Sequence, residues 1–500
     1  MKAFKISLPI LILSLGMVSC QKFLDVKKSS SQFFMSTSSD CQLLLDDYSK
    51  MNTGYPLDGE ISADDYFLSS SSAQLSNITQ EEKDLYNWKP NAQRFSSSPN
   101  WVNPYNVINN ANMVLQTLDK LKGGKDDPNL LNTLRGAALF YRAYCLWTIA
   151  QMYARPYSVS TASQDPGIPL KLDPDINIKS SRGTVQDTYN RIIQDLQEAV
   201  NLLPKTSAYT TRPNKIAAYA MLARTYLSMA DYPNALVNSN SALEIKKDLL
   251  DFNTIDPDEV PAFTRFNKEV IFHTISSYTF SNPSIGAILL PGYYQEPNSC
   301  VARINPALVD LYNSNDLRKS RFLKPNSIEV ILKDSNGKDI PVTVEDGTFQ
   351  FSGNYEPTID PTFFTGLAVD EVLLIRAECY ARAGNIGPAA ADLNLLLKTR
   401  WKPGSYVDMS TQTPPDVALN TILNERRKEL LMRGLRWTDL RRLNKAAIRI
   451  TKEVTFTGLN TNPIRVENTT TSTLPANDPK FTLLIPKGVL DNSSIAQNTR

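Results

Sequence analysis

Between residues 134 and 153 (LRGAALFYRAYCLWTIAQMY) apolar groups recur every three to four positions on two faces. Leu134, Ala138, Tyr141, Cys145, Thr148 and Met152 form one stripe, and Ala137, Phe140, Tyr144 and Trp147 form the other. A helix that is apolar on both sides must be covered on both sides, so this spacing predicts an interior helix. Residues 184–204 give a one-faced version through Val185, Tyr189, Ile192, Leu196, Ala199 and Leu203. Thr184 is placed to cap its first turn with Asp187 as partner, and Pro204 ends it.

The segment KIAAYAMLARTYLSMADYPNALVNSNSALEIKK (215–247) carries Leu222, Ala223, Tyr226, Ala235 and Ala242 at the positions of a tetratricopeptide-type helix–turn–helix. Small residues there let two helices approach, and the tyrosine fills the space between neighbours. The pattern returns 154 residues later at Ala377, Tyr380 and Ala389, with Gly384-Asn385 as the turn. A third helical pair spans 421–444 and breaks at Gly434. Seven of its residues between 426 and 442 are basic, against Glu429 and Asp439. The expectation for that run is a solvated face with internal ion pairs.

Two regions leave the helical period. Residues 251–366 read as strands and loops, with EVIFHTISSY, SIEVILK and IPVTVE, the last two flanking Asn336-Gly337, a strong hairpin signal. Residues 448–484 are Thr/Asn-rich and read as irregular. The expected architecture is mainly α: a tetratricopeptide-like superhelix, mainly over 30–250 and 367–447, carrying a loop-rich mixed α/β lobe, mainly over 251–366 and 448–484.

The chain start changes the setting. Lys2 and Lys5 precede an uncharged run over 6–18 and then Ser19 and Cys20. The run is too short to span a bilayer, which needs about 20 apolar residues, and it has the form of a secretory leader. Residues 17–20 resemble a bacterial lipobox, with Met17 where leucine is usual. The expectation is a leader over 1–19, a domain over 20–500 and a lipid tether on Cys20. Losing the leader removes two lysines and no acid, so the formal charge of +2 falls to about zero, which gives no reason to expect nucleic acid. The other cysteines, Cys41, Cys145, Cys300 and Cys379, are scattered without zinc-like spacing, and Cys145 and Cys379 fall in apolar helical patterns.

Catalytic signals are sparse. His273 is the one histidine, which leaves Ser-His-Asp and Cys-His mechanisms almost no base, and its strand context reads as packing. Adjacent acids such as Asp64-Asp65 are too common among 51 acidic residues to specify a glycosidase. GGKD at 123–126 reads as a helix-ending turn, and DSNGKD at 334–339 as a hairpin tip lacking the later glutamate of a calcium loop. No catalytic residue, metal or cofactor is expected. What remains is a binding reading: sugars present C–H faces and hydroxyls, matched by aromatic rings beside amide and guanidinium groups. Tyr66, Trp88, Asn91 and Arg94, and Tyr293 and Tyr294 of PGYYQEPN, have that mixture. Trp101 and Trp437 read as helix-packing residues.

Several segments together resemble the SusD/RagB family: CQKFLDV (20–26), WVNPYNVINNANMVLQTL (101–118), RGAALFYRAYCLWTIAQMY (135–153), NKEVIFHT (267–274), AVDEVLLIRAECYARAG (368–384), NERRKELLMRGLRWTDLRRL (424–443) and LLIPKGVLDNSSIAQN (483–498). Arg433 stands where the family often has an acid, which puts one expected ion pair in doubt. The resemblance implies a right-handed superhelix of four helix pairs. It also implies a lipid-anchored, outward-facing outer-membrane protein that binds oligosaccharides or peptides and passes them to a SusC-like TonB-dependent barrel. The competing readings are a repeat scaffold for protein assembly and, behind it, an exported glycoside hydrolase.

Overall fold

A computed structural model of the chain describes residues 35–69, 78–95, 98–175, 177–179, 181–256, 262–276, 302–334, 336–356, 362–457 and 464–500. The leader, Cys20, Tyr293, Tyr294 and Cys300 lie outside these residues.

The helices follow from local chemistry. Thr37 and Asp40 form a capping box at α1, Ser38–Leu45. Ser98 caps α2, Pro99–Leu121, and Asp127 caps α3, Pro128–Tyr153, each with a proline in the first turn, where a missing N–H matters least. The GGKD stretch lies in the turn between them, with Gly123 at φ +81°. Thr184 and Asp187 make the expected reciprocal cap on α4, Val185–Leu202. A Cβ on Gly136 of α3 would stand 3.0 Å from side-chain atoms of Leu202 and Leu203, so glycine permits the close approach of α3 and α4. Next come α5 (Lys215–Ser228) and α6 (Tyr232–Ile245), α7 (Val369–Arg382) and α8 (Ile386–Lys398), then α9 (Pro415–Glu429) and α10 (Arg436–Arg442). Successive helices from α2 to α8 pack on one another, and α9 packs on α7 and α8. The apolar residues of α3 are buried on both faces, and Ala217, Ala218, Ala220 and Ala223 of α5 are inaccessible.

The strands of the described residues form six two-stranded antiparallel ladders. Two of them join the lobe to this scaffold, pairing β1 (Tyr66–Leu68) with β6 (Ala302–Ile304) and β4 (Val270–Phe272) with β10 (Leu367–Ala368). Two more pair β2 (Pro166–Pro169) with β3 (Arg182–Thr184) and β5 (Ile275–Ser276) with β9 (Phe363–Phe364). The remaining two are long hairpins. β7 (Leu323–Lys333) and β8 (Asp339–Phe351) meet around Gly337 at φ +79°, as Asn336-Gly337 predicts. β11 (Ala447–Thr457) and β12 (Ile464–Leu474) pair from Ala447–Leu474 to Thr457–Ile464, where the sequence reading expects irregular chain. Every β12 residue before Leu474 is exposed, so no apolar alternation marks the strand; threonine's fit to an extended backbone does. One apolar core runs from Cys41 to Ile485 and includes lobe residues Phe263, Phe322, Phe351 and Tyr355.

The basic run over 426–442 is not a solvated face. Arg426 pairs with Asp439 at 2.8 Å, Arg427 with Asp65 at 2.7 Å, Lys428 with Asp316 at 3.2 Å and Arg433 with Asp370 at 2.7 Å. Arg436 meets Asp64 and Arg442 meets Glu378, both at 2.7 Å. A charge removed from water must be paired, and Arg427 and Arg436 in this way pin the run to a segment more than 300 residues earlier. The pair left in doubt by Arg433 is made from the other direction, with Asp370 as the acid.

Candidate functional site

The stretch from Asp58 to Leu68 enters the core as a short helix, Asp58–Ser62, and then β1. Its acids are buried and each has a partner. Asp58 receives Arg94 Nη2 at 2.5 Å and the Tyr153 hydroxyl at 2.9 Å. Asp64 is held by Arg436 and Asp65 by Arg427. Glu60 differs: Oε2 accepts the Gly434 N–H at 3.0 Å, and Oε1 has no partner among the described residues. Burial, with nearby Asp65, pushes this carboxyl up to about 8.

Three expected ligand contacts are internal. Tyr66 is fully inaccessible and its hydroxyl donates to the Ile61 carbonyl. Trp88 is 8% exposed, stands at φ +51° and donates Nε1–H to the Ser62 carbonyl at 2.8 Å. Arg94 is also 8% exposed, with Asp58, Glu81 and Glu82 around it. These three therefore do not present their side chains to a surface ligand. Tyr66 and Trp88 instead help to enclose Arg449, whose guanidinium carbon lies 5.7 Å and 4.3 Å from their rings and 3.7 Å from that of Tyr86. Arg449 donates to the carbonyls of Tyr66, Tyr86 and Ala63, which ties β11 to β1.

Of the remaining candidates, Asn91 lies three residues beyond Trp88 of this cluster, and Tyr293 and Tyr294 lie outside the described residues. Asn91 is exposed in the turn from Lys89 to Ala92. Phe95, which the sequence reading passed over, projects from the same stretch 61% exposed, while its N–H is fixed by Glu81. An aromatic directly before a run of serines was the available signal. Leu68 pairs with Ala302 at one edge of the β1–β6 ladder. Ser69 donates to Glu453 of β11 at 3.0 Å at that edge.

Other chemistry-bearing clusters are internally balanced. Glu269, Asp370 and Glu429 bring carboxylate oxygens within 4.8 Å of one another. Arg400 bridges Glu269 and Glu429, Arg318 also binds Glu429 at 2.9 Å, Arg433 binds Asp370, and the Tyr355 hydroxyl donates to Glu269. Burial raises Asp370 to about 7, against the pull of Arg433. His273 is inaccessible and lies 2.9 Å from Glu356, with burial lowering its pKa despite that partner. Cys41, Cys145 and Cys379 are free and buried, and burial raises all three thiols. Among the described residues no helix is long and apolar enough to cross a membrane.

Two family profiles match the chain: "Starch-binding associating with outer membrane" over residues 22–227 and "SusD family" over 370–498. SusD-like protein P2 of Formosa agariphila is 23% identical over 487 residues, covering 89% of this chain and 91% of that protein. A solved SusD superfamily protein from Bacteroides thetaiotaomicron superposes with a TM-score of 0.70 at 20% identity, covering 93% of this chain and 100% of the other. A laminarin binding SusD-like protein superposes at 0.62 and 17% identity, covering 92% and 98%.

Proposed function

The chain belongs to the SusD/RagB family, and from that premise we propose that it binds oligosaccharides at the cell surface, tethered through Cys20, and passes them to a TonB-dependent outer-membrane barrel. The observation that carries the binding reading is the β1–β6 edge. There the aromatic–arginine cluster ties β11 to β1, and in the stretch that leaves its Trp88 both Asn91 and Phe95 are exposed. An exposed ring and an exposed amide beside a buried, fully paired cluster suit a site in which ring faces stack on sugar C–H surfaces and amides read hydroxyls. The likeness to a laminarin binding protein favours a glycan over a peptide. Nothing in this reading requires catalysis: the buried carboxylate groups nearest the edge are engaged by arginines or enclosed.

The test uses full-length protein extracted in mild detergent through a C-terminal tag. Isothermal titration against a panel of oligosaccharides, laminarin fragments included, and of peptides should give heat with at least one glycan. Mass spectrometry of the same preparation should find a stoichiometric barrel protein. Silence across the glycan panel would overturn the ligand assignment, and a protein recovered without a barrel would overturn the delivery role.

A further inference from the structure

Of the seven cations between 426 and 442, six have a carboxylate partner, and among the described residues Arg441 has none. Its side chain is 7% exposed and it donates through Nη2 to the Ala154 carbonyl at the end of α3. Among the described residues Nε and Nη1 have no hydrogen-bond partner. A guanidinium carries five N–H donors, so at least three of them are unmet here. Burial without a carboxylate lowers Arg441 to about 10. The buried Arg449 also has no acid partner among the described residues, but it makes three carbonyl bonds and is enclosed by rings. Arg441 has one bond and the C-terminal end of a helix, which offers roughly half a negative charge.

Arg441 lines a cavity of about 400 Å³ between the end of α3, the end of α10 and residues 477–482. That volume lies in the usual range for small-ligand sites, roughly 300–1,000 Å³. Among the charged residues of its wall, Arg155 is matched by Asp165 at 3.2 Å, Asp478 by Lys480 at 3.3 Å and Arg442 by Glu378. Arg441 and exposed Lys445 are left over, so the cavity carries a surplus of positive charge. Tyr157 and Phe481 supply ring surface to the same wall, and Asn444 and Asn477 supply amides.

We propose that this cavity is a second ligand site, which takes a sugar residue bearing an oxyanion, either a uronate carboxylate or a sulfate ester. Its anion would balance Arg441 and Lys445, with rings and amides addressing the sugar body. That a sugar carries the anion rests on the glycan-binding reading above; that the cavity takes an oxyanion does not.

The experiment is titration of the full-length protein with glucuronate, glucose 6-sulfate, glucose and inorganic sulfate, repeated with Lys445→Glu and Arg441→Gln. One acidic sugar should bind at least about tenfold more tightly than glucose, and each variant should lose about tenfold or more, the worth of one charge-assisted hydrogen bond. Preference for glucuronate assigns a carboxylate, and preference for glucose 6-sulfate assigns a sulfate. Lys445 is exposed, so Lys445→Glu should keep the wild-type melting midpoint and remains informative if Arg441→Gln folds poorly. Equal affinity for glucose and both acidic sugars, or unchanged affinity in Lys445→Glu, would overturn the site. Inorganic sulfate binding as tightly as either sugar would overturn the sugar assignment. Neutral oligosaccharide binding at the lobe edge should survive Lys445→Glu, so the two readings fail separately.

Discussion

The Arg449 guanidinium carbon lies 3.7 Å from the centroid of the Tyr86 ring and 4.3 Å from that of Trp88, and among the described residues no carboxylate pairs with it. The charge is held by ring quadrupoles and carbonyl dipoles, and its hydrogen bonds reach Ala63, Tyr66 and Tyr86 at once. Lysine keeps the charge but is a point donor without a planar fork, so it cannot serve three carbonyls between two rings. Arg449→Lys should therefore lower unfolding free energy by about 2–4 kcal/mol. Urea denaturation checks this, and a variant within about 0.5 kcal/mol of wild type would show that the cluster does not hold the lobe edge.

Trp88 and Asn91 are three positions apart and should behave oppositely. Trp88 fills the core and bonds to Ser62, so Trp88→Ala should remove about 3–5 kcal/mol of stability. Asn91 is exposed, so Asn91→Ala should leave the urea midpoint unchanged while weakening oligosaccharide binding by roughly the tenfold of one lost hydrogen bond. Parallel denaturation and titration of both variants would separate core packing from ligand contact. Unchanged affinity in Asn91→Ala would remove that residue from the site.

The scaffold helices were legible because their signals are local. Caps such as Thr184 with Asp187, apolar period and the turn at Gly384 all lie within a few residues of one another. Asn336-Gly337 marked the β7–β8 hairpin for the same reason. The β11–β12 hairpin was hidden because its outer strand buries almost nothing. The ligand candidates suffered from a different blindness. An aromatic, an amide and an arginine in a Pro-broken stretch look alike whether they face water or an acid far away in sequence. Arg94 meets Asp58, and Trp88 meets Arg449, 361 residues on. The basic run deceived for the same reason, since its partners Asp64, Asp316 and Asp370 lie outside any local window.

Arg433 and Asp370 form a buried pair beside Glu269 and Glu429. Removing one partner strands a charge, so Arg433→Ala should destabilise by about 3–5 kcal/mol. Asp370 then faces Glu269 and Glu429 with one cation fewer. Asp370→Asn in the Arg433→Ala background should recover part of the loss, because a neutral amide needs no counter-ion. A double-mutant cycle in urea measures the coupling, and strict additivity of the two changes would contradict the pairing.

Glu60 sets a pH dependence whose sign can be worked out. The unfolded chain releases this proton near 4.5, whereas the folded chain holds it up to about 8, through burial and the neighbouring Asp65. Between those values the folded state binds more protons, so stability contributed by the neutral carboxyl falls as pH rises. It is fully present below about 4.5 and lost by the time pH passes 8. Glu60→Gln keeps an oxygen for the Gly434 N–H and cannot ionise. Against this variant, wild type should lose stability progressively across that window, by at most about 5 kcal/mol. Unfolding curves for both proteins at pH 5 and pH 8.5 isolate the residue from Asp370, which titrates in each. Parallel pH profiles would mean that Glu60 ionises in the folded state as readily as in the unfolded one.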